Sequence, residues 1–208
     1  EADGRLVIDM VRVPDLVLGE ASASEDPVWK TLDLESMPLS ALWRYEVQPA
    51  TGAWTKRQLH DQHVDFPSIN RSISGKPYRY TYCATSPIKG RSGPLQGLVK
   101  VDVSGEREPE VWLPQPQEFL GEASFCPRAG SGPESAEDDG YIVSFLLDGR
   151  SQRSDIVVFD AQKIADGPIC RLRTQSFLPH ALHGSFSPEL VPDQAQIEAA
   201  WSKKPTSL

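Results

Sequence analysis

Four histidines carry most of the side-chain chemistry this 208-residue chain can offer, in two H-x-x-H pairs, His60 with His63 and His180 with His183. Neutral imidazole is a common ligand for divalent transition metals, ferrous iron included. In an extended segment, residues three apart point to opposite faces, so His180 and His183 are not expected to reach one metal together. His60 and His63 read as loop or surface residues. For His183, followed by Gly184, the residues alone leave two roles open: a hydrogen-bonded histidine in a turn, or a metal ligand. No close cysteine pair accompanies the histidines, so a zinc site is not expected. The acidic run Glu137-Asp138-Asp139-Gly140 lacks the alternating oxygen ligands of a calcium loop and reads as a solvated turn. No nucleophile–His–Asp arrangement is evident, and Arg91–Gly97 (RSGPLQG) lacks the lysine and following Ser/Thr of a phosphate loop.

The elements that must position these groups are strands. Runs rich in β-branched and aromatic residues recur between Gly, Pro, Asp and Ser: Arg5–Val11, Leu42–Val47, Tyr78–Cys83, Leu98–Val103, Tyr141–Leu147 and Ile156–Phe159. Helical periodicity is expected only near Gln194–Trp201. Three hairpin-like units repeat: RYEV-QPATG-AWTKRQL, VKVDV-SGERE-PEVWL and IVVFD-AQKIADG-PICRL. Their first strands end near Val47, Val103 and Phe159, a period of roughly 56 residues, as β-propeller blades produce. Three unrelated hairpins in a sandwich are the alternative. Three blades cannot close a ring, and they would leave two large apolar faces for missing blades to cover.

Composition narrows the function classes. Net charge is -8, with a sequence pI near 5.0, which argues against a nucleic-acid-binding face. Anionic lipid would also repel the chain, although an apolar patch leaves peripheral membrane contact open for a full-length protein. No run approaches the roughly 20 apolar residues of a spanning helix. The three cysteines, Cys83, Cys126 and Cys170, are isolated and odd in number. They are expected as reduced thiols in a reducing compartment, cytoplasmic or plastid rather than secreted. The first residues, Glu-Ala-Asp-Gly, resemble no signal peptide, and the chain is expected to begin mid-protein.

Two stretches resemble the carotenoid oxygenase family, which includes plant carotenoid dioxygenases, animal β-carotene oxygenases, the retinal pigment epithelium isomerase and bacterial lignostilbene dioxygenases. One is Val64–Tyr82, VDFPSINRSISGKPYRYTY, similar to an acidic residue, Phe-Pro, a variable residue and Ile-Asn, then Gly and an aromatic-basic strand. The other is Gly121–Phe186, in which GEASFCPR, EDDGY, SDIVVFDA and LPHALHGSF come in the family's order. The opening EADGRLVIDMV is similar to the segment just after the third iron-binding histidine of family members. The resemblance covers the chain to about Ser187, and the order and spacing of the motifs carry it.

The resemblance implies an all-β fold, about three blades of a seven-bladed propeller over residues 1–187; the tail over residues 188–208 lies beyond it and is expected to be short and helical from its periodicity. It implies a four-histidine Fe(II) centre of which this chain holds one ligand, His183, the other three lying in absent sequence. Glu122 matches a carboxylate that receives the outer ring N–H of an iron-bound histidine. Asp65 falls where many members carry Glu in the same role and is one methylene shorter. Phe66 is either a wall of an apolar substrate tunnel or an ordinary core residue. The implied reaction is oxygenative cleavage of one double bond of a carotenoid, apocarotenoid or related polyene by O2, giving two carbonyl products. The isolated chain is expected to bind iron weakly and to be inactive. The alternative is a non-catalytic, truncated propeller that acts as a binding module.

Overall fold

The computed structural model describes residues 4–15, 37–180, 183–187, 193, 195, 196, 198 and 199. Twelve strands form three antiparallel sheets among them. The first sheet runs β1 (Leu6–Arg12), β2 (Ala41–Gln48), β3 (Ala53–His60) in that spatial order. The second is a four-stranded meander of β4 (Val64–Ser68), β5 (Tyr80–Thr85), β6 (Gly97–Asp102) and β7 (Glu110–Trp112). In the third, β12 (Pro168–Arg173), β11 (Arg153–Asp160) and β10 (Gly140–Asp148) lie side by side. The free edge of β10 is shared by β8 (Glu118–Leu120) and β9 (Ser124–Pro127). The three repeated hairpins of the sequence are β2–β3, β6–β7 and β11–β12, in each case the last two strands of a sheet. This is the stacked meander of propeller blades rather than a sandwich.

Alternation sorts the side chains between the layers. In β5 and β6 every residue is buried, because this middle sheet is covered on both sides. Tyr80, Tyr82 and Leu98 point to the third sheet and pack with Leu120, Phe125, Ile142, Leu146, Val157 and Phe159. The alternate residues Cys83, Val99 and Val101 point to the first sheet and pack with Leu42, Val64 and Val11. A one-residue slip of register would exchange the two sets, so both cores hold the register.

The outer faces of the end sheets are apolar and uncovered. On the first sheet, Leu6, Ile8 and Met10 pair with Val47, Tyr45 and Trp43, and Trp54 next to Val47 is 60% exposed. On the third, exposed Phe145 pairs with Ile156, which pairs with exposed Leu172. These are the faces a propeller covers with neighbouring blades.

Polar side chains tie the sheets together, and here the acidic run departs from the solvated turn expected for it. The Glu137 carboxylate accepts from the backbone N–H groups of Arg79 (2.8 Å) and Tyr80 (2.8 Å), fixing the start of β5 against the third sheet. Asp138 is 2.7 Å from the ammonium of Lys100, which is 3% exposed and sits over the Tyr80 ring at 4.2 Å. Asp139 receives Arg128 and Ser131. A turn that joins two blades recruits its charges as partners, which one-dimensional spacing does not reveal. Between the first and second sheets, Arg44 makes two 2.7 Å hydrogen bonds to the Asp9 carboxylate, which also accepts from Tyr78 Oη.

In the tail, Ala195, Gln196, Glu198 and Ala199 are helical. Asp193 and Gln196 exchange side-chain-to-backbone hydrogen bonds of 2.8 and 3.2 Å, the reciprocal pattern of a capping box. Gln194 and Trp201, the bounds expected from the sequence, lie outside the described residues, as do Ala181 and Leu182. No helix among the described residues is long and apolar enough to cross a membrane.

Candidate functional site

The loop between β8 and β9 carries Glu122, and the segment from His183 to Ser187 passes beside it. Glu122 Oε2 accepts a 2.7 Å hydrogen bond from Gly184 N and lies 3.5 Å from His183 Nδ1. The His183 side chain is 71% exposed, against 20% for Glu122. An anion facing Nδ1 favours the proton there and leaves the Nε2 lone pair free, the protonation pattern a metal-bound imidazole needs.

Phe66 is the aromatic neighbour of the imidazole. The ring centroids are 5.8 Å apart with the planes at 90°. Phe66 has φ +54°, an outlier for a bulky residue, and sits where the β4–β5 register shifts between Asp65 and Ser68. Asp65 Oδ1 accepts from Phe66 N at 2.7 Å. The carboxylate is thus engaged at its own neighbour's amide.

Asp65 and Phe66 also line a pocket of about 600 Å³, walled largely by apolar groups that include Met37, Pro38, Leu95, Phe119 and Leu147. This volume is in the range of sites for small organic ligands. Seven separate segments converge on it, brought together by the stacking of the sheets. Phe66 is therefore both a pocket wall and the neighbour of His183.

Two of the other histidines, His63 and His180, line this same pocket. His180 lines the pocket and meets Phe119 edge-on, 6.3 Å between ring centroids, while His183 faces Glu122 and Phe66. His63 is half-buried beside β4, with Nδ1 2.9 Å from Ser40 Oγ. Its pKa is lowered, chiefly by burial, against the opposing pull of Asp65. His60 ends β3 and is buried, Nε2 has no hydrogen-bond partner, and burial lowers its pKa as well. His60 is thus a buried strand-end residue rather than the loop or surface residue expected from the sequence, whereas His63 does lie in the β3–β4 loop, half-buried. Among the described residues, no cluster of three or more His, Cys, Asp or Glu side chains is arranged to hold a metal.

Sequence reasoning did not find the Asp65–Phe66 contact or the role of Ser40. The available signal was Pro67: a proline within a strand marks an edge or a bulge, and β4 is both an edge strand and irregular at that point.

The family model described as retinal pigment epithelial membrane protein matches residues 1–188. The chain is 28% identical over 187 residues to an apocarotenoid-15,15'-oxygenase of Synechocystis sp., covering 90% of this chain and 36% of that protein. It is 30% identical over 168 residues to a carotenoid 9,10(9',10')-cleavage dioxygenase 1 of Pisum sativum, covering 76% of this chain and 30% of that one. The crystal structure of the cobalt-substituted Synechocystis enzyme superposes with a TM-score of 0.81 at 28% identity, over 90% of this chain and 37% of that structure. The chain thus spans about a third of the length of these relatives, and its sheets are propeller blades like theirs. On the strength of this match along its length, the chain belongs to the retinal pigment epithelial membrane protein family of carotenoid oxygenases.

Proposed function

We propose that this chain is the C-terminal part of an oxygenase that cleaves a conjugated double bond of a carotenoid or apocarotenoid, contributing one of four histidine ligands to a non-haem Fe(II). The observation that carries the reading is the pairing of His183 with Glu122 beside an apolar pocket. An exposed imidazole, with a carboxylate at one nitrogen and the other nitrogen open, has the donor chemistry of a ferrous ligand. When bound, the iron would supply O2 activation, and the surrounding protein groups would do the rest. His183 offers Nε2, Glu122 holds the Nδ1 proton and the turn at Gly184, and the apolar walls at Phe66, Phe119 and Leu147 hold a polyene and exclude water.

His60 and His63 are buried or hydrogen-bonded, and His180 faces the pocket. The remaining imidazoles of a four-histidine centre would therefore come from sequence outside these 208 residues, and the chain alone would be inactive. A non-catalytic reading is favoured by one feature, the two uncovered apolar sheet faces, which would then serve as interaction surfaces.

The test is turnover. The product of the longest reading frame that includes this sequence, incubated with O2 and an apocarotenal, should release two carbonyl products, and the 208-residue chain should release none. Failure of the longer protein to cleave any polyene supplied would support the non-catalytic reading.

A further inference from the structure

We infer that Asp65 is a positioning residue: its carboxylate locks the left-handed backbone of Phe66, and Phe66 in turn sets the orientation of the His183 ring at the edge of the apolar pocket. This rests on the reading of His183 as the chain's functional imidazole and adds what aims it.

The residue before a proline normally takes an extended conformation, and bulky side chains avoid positive φ. Phe66 precedes Pro67 and has φ +54°, so something in the surroundings must hold it there. The ladder does only part of this. Val64 and Asp65 pair with Thr85 and Ala84, pairing resumes at Ser68 with Tyr82, and Phe66 and Pro67 are left between. Pro67 has no N–H to satisfy, but Phe66 does, and its partner is Asp65 Oδ1 at 2.7 Å. The consequence is directional. The bulge turns the Phe66 ring out of the ladder, where it lines the pocket and stands at 90° to His183. Glu122 approaches Nδ1 from the β8–β9 loop at 3.5 Å, so the exposed imidazole has one carboxylate and one perpendicular aromatic ring as neighbours. Without the Phe66 ring, one of these two neighbours is gone.

A carboxylate at this position can have two separable jobs. Holding the Phe66 amide needs an acceptor oxygen, which Asn also provides. Acting through negative charge on a metal-bound histidine needs the charge, which Asn lacks.

The experiment is NMR of the full 208-residue chain with ring-labelled histidine, with the four Cε1–H signals assigned by single His→Gln variants. Asp65→Asn should leave the His183 signal where it is in the parent. Asp65→Ala and Phe66→Leu should both move it, in the same direction, because the first releases and the second removes the perpendicular Phe66 ring and its ring current. Binding of β-apo-8'-carotenal, followed by its absorbance, should weaken about tenfold in the same two variants and not in Asp65→Asn. An unmoved His183 signal in folded Asp65→Ala, or an Asp65→Asn shift as large as that of Asp65→Ala, overturns the inference. Should Asp65→Ala fail to fold, an unmoved signal in Phe66→Leu or a moved one in Asp65→Asn overturns it equally. A parent chain that does not bind the carotenal contradicts the substrate reading, and the NMR comparison, made without it, still decides the positioning role.

Discussion

One oxygen of Glu122 serves both His183 and the residue after it: it accepts from Gly184 N at 2.7 Å and lies 3.5 Å from His183 Nδ1. The carboxylate thus shapes the turn and polarises the ring together, and the two tasks can be separated by substitution. Glu122→Gln keeps an acceptor for Gly184 N and loses the charge, whereas Glu122→Ala loses both. In the longer protein both variants should lower iron affinity by about 10- to 100-fold, as loss of a carboxylate behind a ligating histidine typically does. In the 208-residue chain, only Glu122→Ala should increase proteolysis around His183. Equal iron affinity in Glu122→Gln and the parent would show that the Glu122 charge does not act on the ring.

Lys100 is a buried charge that links two blades, with Asp138 at 2.7 Å and Glu110 at 3.7 Å. Removing one partner of a buried pair strands the other. Lys100→Ala should therefore cost about 3–5 kcal/mol in urea unfolding, and the double variant Lys100→Met/Asp138→Leu much less. Similar losses in the single and double variants would show that the space, not the charge pair, matters.

Acid should destabilise the chain through His60 and His63. Burial lowers the pKa of both below the ordinary value of 6.5. The unfolded chain therefore binds protons that the folded chain refuses. Stability is fully present above 6.5, falls as pH drops through 6.5, and levels off only below the folded-state values. His60→Leu should flatten part of this fall in urea midpoints measured between pH 7.5 and 5. An unchanged slope would mean that His60 gains a partner in solution.

The thiols should separate by burial. Burial pushes Cys83 well above the ordinary thiol range and Cys126 up to about 11, while Cys170 lies exposed on β12. A thiol reagent at pH 8 should label Cys170 rapidly in the native chain and the other two only after unfolding. Fast labelling of Cys83 would indicate that the first two sheets separate readily.

Much of the fold was legible because strands such as β5 and β6 are rich in β-branched and aromatic residues, and because the hairpin period survives as β2–β3, β6–β7 and β11–β12. The short strands β8 and β9 were not, since three or four residues on a shared edge leave almost no pattern. At the site, the motifs brought out His183, Glu122, Asp65 and Phe66, and these four residues lie together in the structure. The misreadings share a cause: Glu137, Asp138 and His60 look like surface groups along the chain, and only the stacking of blades gives them partners or buries them. The left-handed Phe66 was hidden for a related reason, because its hydrogen bond runs to the adjacent side chain and has no signature in spacing.

The central claim, that His183 is an iron ligand supplied by this chain to a larger centre, is tested most directly by metal content. Elemental analysis should be made of the 208-residue chain, of the product of the longest reading frame that includes it, and of the His183→Ala form of that product. Near-stoichiometric iron is expected in the longer protein alone, lost on His183→Ala. Iron that is retained in His183→Ala, or absent from the longer protein altogether, would contradict the claim.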